Sequence, residues 1–62
     1  MAEDRLLTLQ EVASRLQVPV RTVYRWRYSG DGPTGLRVGR HVRVRESELE
    51  RWLDTRQDAH PA

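Results

Sequence analysis

Pro19 constrains this chain most. It lacks a backbone N–H and biases Val18 away from helix, so any helix before it must close by about residue 17. The preceding stretch opens on Thr8-Leu9-Gln10-Glu11, the spacing of a capping box. In that arrangement the Thr8 hydroxyl accepts the Glu11 N–H, and the Glu11 carboxylate reaches back to the Thr8 N–H. Leu7 and Val12 are placed as a hydrophobic staple. Leu9, Val12, Ala13 and Leu16 recur at i, i+3, i+4 and i+7, one apolar stripe of a two-turn helix over about 9–16. After the turn Gln17-Val18-Pro19, no breaker interrupts Val20 to Tyr28, and Gly30 is suited to cap the helix that this predicts. Val20, Val23, Tyr24 and Arg27 fall on one side of this second helix, with Trp26 flanking, while Arg21, Thr22 and Arg25 project from the other.

Two short helices across a three-residue turn have the layout of a helix-turn-helix. Ser29 to Gly35 is turn chemistry throughout, with three glycines and a proline. Leu36-Arg37-Val38 and His41-Val42-Arg43-Val44 then flank Gly39-Arg40, a two-residue hairpin turn with glycine first. Period-two alternation predicts an aliphatic face of Leu36, Val38, Val42 and Val44, packed on the helices, and a polar face of Arg37, His41, Arg43 and Arg45. Leu49, Trp52 and Leu53 restore helical spacing from about 46 to 56, with Glu46 and Glu48 in the first turn, where acids suit the helix dipole. The expected fold is mainly α with a small β-hairpin: a winged helix-turn-helix in the order helix, helix, hairpin, helix. Residues 1–62 are expected to form a single domain with an ordered core of about 6–56 and disordered tails at 1–4 and 57–62.

A chain of 62 residues buries only roughly 60% of its unfolded surface, so the core must be thin and an enclosed active site is not expected. With no cysteine, neither disulfides nor a thiolate zinc site can reinforce it, and His41 and His60 lack the companions of a metal site. No Ser/His/Asp or Cys/His set and no phosphate-cradling glycine loop before a helix is present, which argues against an enzyme, a cofactor or a small-molecule ligand. No apolar run reaches the ~20 residues of a membrane span, so a soluble, cytoplasmic protein is expected. The net charge of +2 conceals a strong segregation. Residues 12–45 carry eight arginines against Asp31 alone, whereas both flanks are acidic, and lysine is absent. A GC-rich genome explains arginine in place of lysine but not its clustering, which is the footprint of a polyanion binder.

Arg21 and Arg25 stand four apart on one exposed helical face, and arginine is the side chain best suited to guanine O6 and N7 in a major groove. Thr22 and Arg27 suit phosphate, although the Arg27 stem is equally suited to covering core. Tyr24 and Tyr28 are placed either to donate to phosphate or to pack on the wing. Arg40 at the hairpin tip is forced outward and suits a narrow minor groove. Arg43 and Arg45 continue the basic strand toward the DNA backbone, with His41 lengthening the same face, and Arg37 is ambiguous. Trp26 and Trp52, beside aliphatic positions at helical spacing, are expected in the core.

Leu7 to Ala13, Val18-Pro19, Thr22-Val23-Tyr24-Arg25-Trp26, Gly30, Gly32-Pro33, Val38-Gly39-Arg40, Arg43, Arg45 and Leu49 to Leu53 together resemble the excisionase family of MerR-like winged-helix DNA-binding proteins. The resemblance spans about 6–54, with every motif in order, and the lysine-free composition fits an actinobacterial phage source. It implies a non-catalytic, architectural protein whose second helix enters the major groove through Arg21 and Arg25 and whose wing enters the minor groove through Arg40. The residues themselves add Thr22 to the major-groove set and place Arg27, His41, Arg43 and Arg45 on the DNA backbone. The implied partners are direct repeats in attachment-site DNA, further copies bound head to tail, and a phage integrase of the tyrosine recombinase type, steered by DNA bending toward excision. Arg21 stands where a member of the family carries an acid, and Val44 where many carry Tyr or Phe, so base preference and wing packing should differ.

Two other readings fit parts of the sequence. A small transcriptional regulator of the same fold needs the same helix and wing. A protein-interaction module would account for the thin core but leaves Arg21, Arg25 and Arg40 without a role.

Overall fold

The computed structural model describes residues 4–56 of the chain. The expectations for tails at 1–3 and 57–62 fall outside the described residues. Six elements follow one another: β1 (Leu6–Leu7), α1 (Leu9–Leu16), α2 (Val20–Ser29), β2 (Gly35–Val38), β3 (His41–Arg45) and α3 (Glu46–Thr55). The three helices and the antiparallel hairpin are those of a small winged helix-turn-helix.

The capping box forms, with the Thr8 N–H donating to Glu11 Oε1 at 2.8 Å and the Glu11 N–H to Thr8 Oγ1 at 3.0 Å. At its other end α1 closes on Gln17, whose left-handed backbone (φ 59°) lets the Val18 N–H reach the Ala13 carbonyl at 3.0 Å. Pro19 then serves as the N-cap of α2, and Gly30 (φ 79°) ends that helix by donating to the Trp26 carbonyl at 2.7 Å.

Two features depart from the sequence expectation. First, the sheet has three strands in the order β1-β3-β2, because Leu6 pairs with Arg45 and Leu7 with Val44. The segment that enters α1 is therefore also an edge strand. Asp4, expected in a loose tail, accepts the Ser47 N–H at 3.0 Å and the Ser47 hydroxyl at 2.7 Å, and so caps the start of α3.

Second, the hairpin does not sort its aliphatic residues onto one face. A two-residue turn pairs Val38 directly with His41, Arg37 with Val42, Leu36 with Arg43 and Gly35 with Val44. Directly paired residues share a face, so an even-numbered residue on β2 lies beside an odd-numbered one on β3. The helix-facing side carries Leu7, Gly35, Arg37, Val42 and Val44, and the outer side carries Leu6, Leu36, Val38, His41, Arg43 and Arg45. A Cβ built on Gly35 would stand 2.5 Å from the Arg27 Nη1, so the end of this exposed side chain passes close to a glycine.

The core is one cluster of seven buried residues: Leu7, Leu9, Val12, Ala13, Val23, Val44 and Leu49. All are aliphatic, and both tryptophans lie at its rim, half-buried, rather than inside it. So small a cluster has no volume for an indole. Trp26 and Trp52 pack on each other at 5.1 Å between ring centroids, tilted by 48°. The Trp52 Nε1 and the Arg56 Nη2 both donate to the Asp31 carbonyl at 2.7 Å, which fastens α3 to the loop leaving α2. Arg15 and Glu46 join α1 to α3 by an ion pair of 2.6 Å.

Two carboxylates give this fold an acid limit. The Ser47 hydroxyl, then its backbone N–H, hold the Asp4 carboxyl below its ordinary value, with the Arg45 charge adding to the shift. The Thr8 N–H does the same for Glu11. A depressed carboxyl stabilises the fold above its unfolded pKa of about 4 and loses that contribution as pH falls through the folded value. Melting temperature is therefore expected to be flat from pH 7 to about 5 and to fall below about 4. The double variant Asp4→Asn/Glu11→Gln should start lower and show a shallower acid limb. An acid limb unchanged in the double variant would exclude both caps as its origin.

Candidate nucleic-acid interface

With 3.6 residues per turn, the orientation of α2 follows from its one fully buried side chain, Val23. Val20 and Trp26 flank Val23 and are half-buried against the core. The opposite side presents Arg21, Arg25 and Tyr28 at i, i+4 and i+7, all exposed. Tyr24 borders this face on one side and Thr22, half-buried, on the other. Among the described residues the ion pairs are Arg5–Glu11 and Arg15–Glu46, so Arg21 and Arg25 project without a carboxylate partner.

The hairpin tip meets the Tyr24 edge of α2 across a groove of about 380 Å³. Tyr24 of α2 lines one wall, Arg40, His41 and Arg43 line the other, and Thr8 and Gln10 at the start of α1 close the end. Gly39 takes the left-handed backbone (φ 63°) that a tight turn with glycine first requires, which leaves Arg40 exposed at the apex. The Tyr24 edge of α2 and a basic hairpin tip thus border one concave surface, with the positively polarised start of α1 between them and Arg21 and Arg25 on the adjoining exposed side of α2.

The other basic residues are less available than the sequence suggested. Arg43 is half-buried, and its Nη1 donates to the Val42 carbonyl at 2.9 Å, which leaves the rest of the guanidinium to face outward. The end of the Arg27 side chain passes close to Gly35. Arg45 is exposed but sits at the far end of β3, roughly 16 Å along the strand from Arg40, where its charge acts on Asp4. Arg37, paired with Val42, lies on the helix-facing side rather than with His41 and Arg43.

Gln10 was not legible as a contributor, whereas Tyr24 and Tyr28 were expected either to donate to phosphate or to pack on the wing. Gln10 enters the groove because β1 aims the start of α1 at the hairpin, and β1 had no signal of its own. Tyr24 is 52% exposed and lines the groove instead of lying with the core side of α2. Tyr28, 94% exposed, does not pack on the wing. Its heptad spacing from Arg21 was the available signal. Among the described residues no three His, Asp or Glu side chains gather where they could hold a metal ion, and no helix is long and apolar enough to cross a membrane.

Residues 6–57 match the family model described as "Helix-turn-helix domain". The chain belongs to that family. The helix-turn-helix assignment covers α1 and α2 together with the hairpin and α3, so the wing is part of the family unit and not an appendage. Two Mycobacterium tuberculosis proteins, from strains CDC 1551 / Oshkosh and H37Rv, are each 41% identical to this helix-turn-helix chain over 54 residues. Each match covers 87% of the chain and 68% of the relative, and both relatives bear the name "Putative DNA-binding protein".

Proposed function

We propose that this chain is a sequence-specific double-stranded DNA-binding protein, acting in the bacterial cytoplasm as an excisionase. The observation that carries the DNA reading is the exposed Arg21 and Arg25 face of α2, next to a groove that the Arg40 tip of the hairpin lines. Arg21 and Arg25, with Thr22 beside them, read base edges in the major groove. Arg40 enters the adjacent minor groove. Arg43, His41, Arg45 and Arg27 contact the DNA backbone. The names of the mycobacterial relatives point the same way.

The excisionase role rests on the ordered motifs from Leu7 to Leu53. In that role several copies occupy direct repeats head to tail, bend attachment-site DNA and bias a tyrosine-type integrase toward excision. The protein contributes no chemistry. The test is recombination by the cognate integrase on paired attachment sites, with and without the protein. Several-fold stimulation of excision and suppression of integration are expected. Unchanged recombination alongside repression of a nearby promoter would replace the excisionase by a transcriptional regulator of the same fold.

A further inference from the structure

Tyr28 is the most exposed of the large hydrophobic side chains among the described residues, at 94%. Its position is specific: three residues beyond Arg25 and seven beyond Arg21, it continues their face, about 4.5 Å further along the helix axis than Arg25. A phosphate is a poor match for this end of α2. The last carbonyls of a helix carry partial negative charge, and the Asp31 carboxylate stands beside them, accepting the Ser29 hydroxyl at 2.8 Å. An aromatic ring is indifferent to that field. The major groove offers a ring one apolar feature, the C5-methyl group of thymine.

We infer, on the basis of the DNA-binding reading above, that Tyr28 is a specificity-determining residue whose ring packs on a thymine methyl beside the base pair read by Arg25. The hydroxyl is then dispensable and the ring is not. Recognition helices concentrate base contacts near their N-terminal end, so Tyr28 extends the read sequence by one step toward the C-terminal end of α2.

The inference is tested on a duplex enriched by the wild-type chain from a randomised double-stranded pool. Each thymine of the enriched site is replaced singly by deoxyuridine, which removes only the methyl, and the chain is titrated as wild type, Tyr28→Phe and Tyr28→Ala. At one position the methyl should matter about fourfold to the wild type, the effect of burying one such group. Tyr28→Phe should keep that sensitivity, and Tyr28→Ala should bind the enriched duplex more weakly and lose it. Circular dichroism of the two variants should match the wild type, since the ring contributes little to the core.

An enriched site at which no deoxyuridine replacement weakens binding would overturn the inference. So would a Tyr28→Ala variant that keeps the full methyl effect. A Tyr28→Phe variant weakened equally on every duplex would move the hydroxyl to a phosphate and also overturn it. In each of those cases the DNA-binding reading survives. A chain that enriches no duplex at all would remove both.

Discussion

Leu7→Ala is expected to leave the domain largely unfolded at 37 °C. Leu7 is fully buried, pairs with Val44 across the sheet and joins the seven-residue core. Truncating a buried leucine costs about 2–5 kcal/mol, more where the surroundings cannot collapse into the cavity. Collapse is hindered here because Leu7 is fixed from two directions, by strand pairing on one side and by the capped start of α1 on the other. Against this stands a total stability of about 3–9 kcal/mol for a chain of this length, at 0.05–0.15 kcal/mol per residue. The adjacent Leu6 provides the control. It is 46% exposed on the outer side of the sheet, so Leu6→Ala should cost well under about 1 kcal/mol. Thermal melts of both variants followed by far-ultraviolet circular dichroism decide the matter. A Leu7→Ala protein melting within about 5 °C of the wild type would mean that β1 is not part of the core.

The contrast between those two leucines shows where the sequence was legible. Short-range chemistry could be read: Thr8 and Glu11 cap α1 as a box, Gly30 ends α2 through a left-handed backbone, and Gly39 makes the tight turn. Each is fixed by neighbours within four residues. Two residues of strand carry no periodicity, so β1 could not be read from Leu6-Leu7. Its partner is Val44-Arg45, nearly forty positions away, and the clamp of Asp4 on Ser47 spans a similar gap. The hairpin is a different kind of miss. Its register follows from the two-residue turn, where direct pairing reverses the parity between strands, so simple alternation carried through the turn puts Leu36 and Val38 on the wrong side of the sheet. On the candidate surface, the exposure of Arg21, Arg25 and Arg40 was legible because helical spacing and a turn apex both force it. The availability of Arg43 was not, since its bond to the Val42 carbonyl is a side-chain contact that carries no sequence pattern.

The affinity of this protein for its DNA site is expected to fall about 500-fold between 50 and 200 mM salt. Arg21 and Arg25 on α2 and Arg40, Arg43 and Arg45 on the hairpin are placed to displace counterions, about five phosphates' worth, for a slope of log K against log[salt] near −4.5. Three alanine variants should divide that total differently. Arg25→Ala should lose about 1–3 kcal/mol on the specific duplex and relax discrimination at one base pair, because a contact to a base edge carries sequence information. Arg43→Ala should weaken specific and random duplexes alike and flatten the slope by about one unit. Arg40→Ala should lose more when A·T pairs underlie the hairpin tip than when G·C pairs do. A narrow minor groove focuses negative potential on an inserted guanidinium, and the exocyclic amine of guanine obstructs the groove floor. Titration against cognate, singly substituted and random duplexes at two salt concentrations separates the three. A slope near zero would exclude the polyanion reading of the arginine cluster altogether. If instead Arg25→Ala lowered affinity equally for every duplex, Arg25 would be gripping the backbone, and base reading by α2 would fall to its other exposed residues.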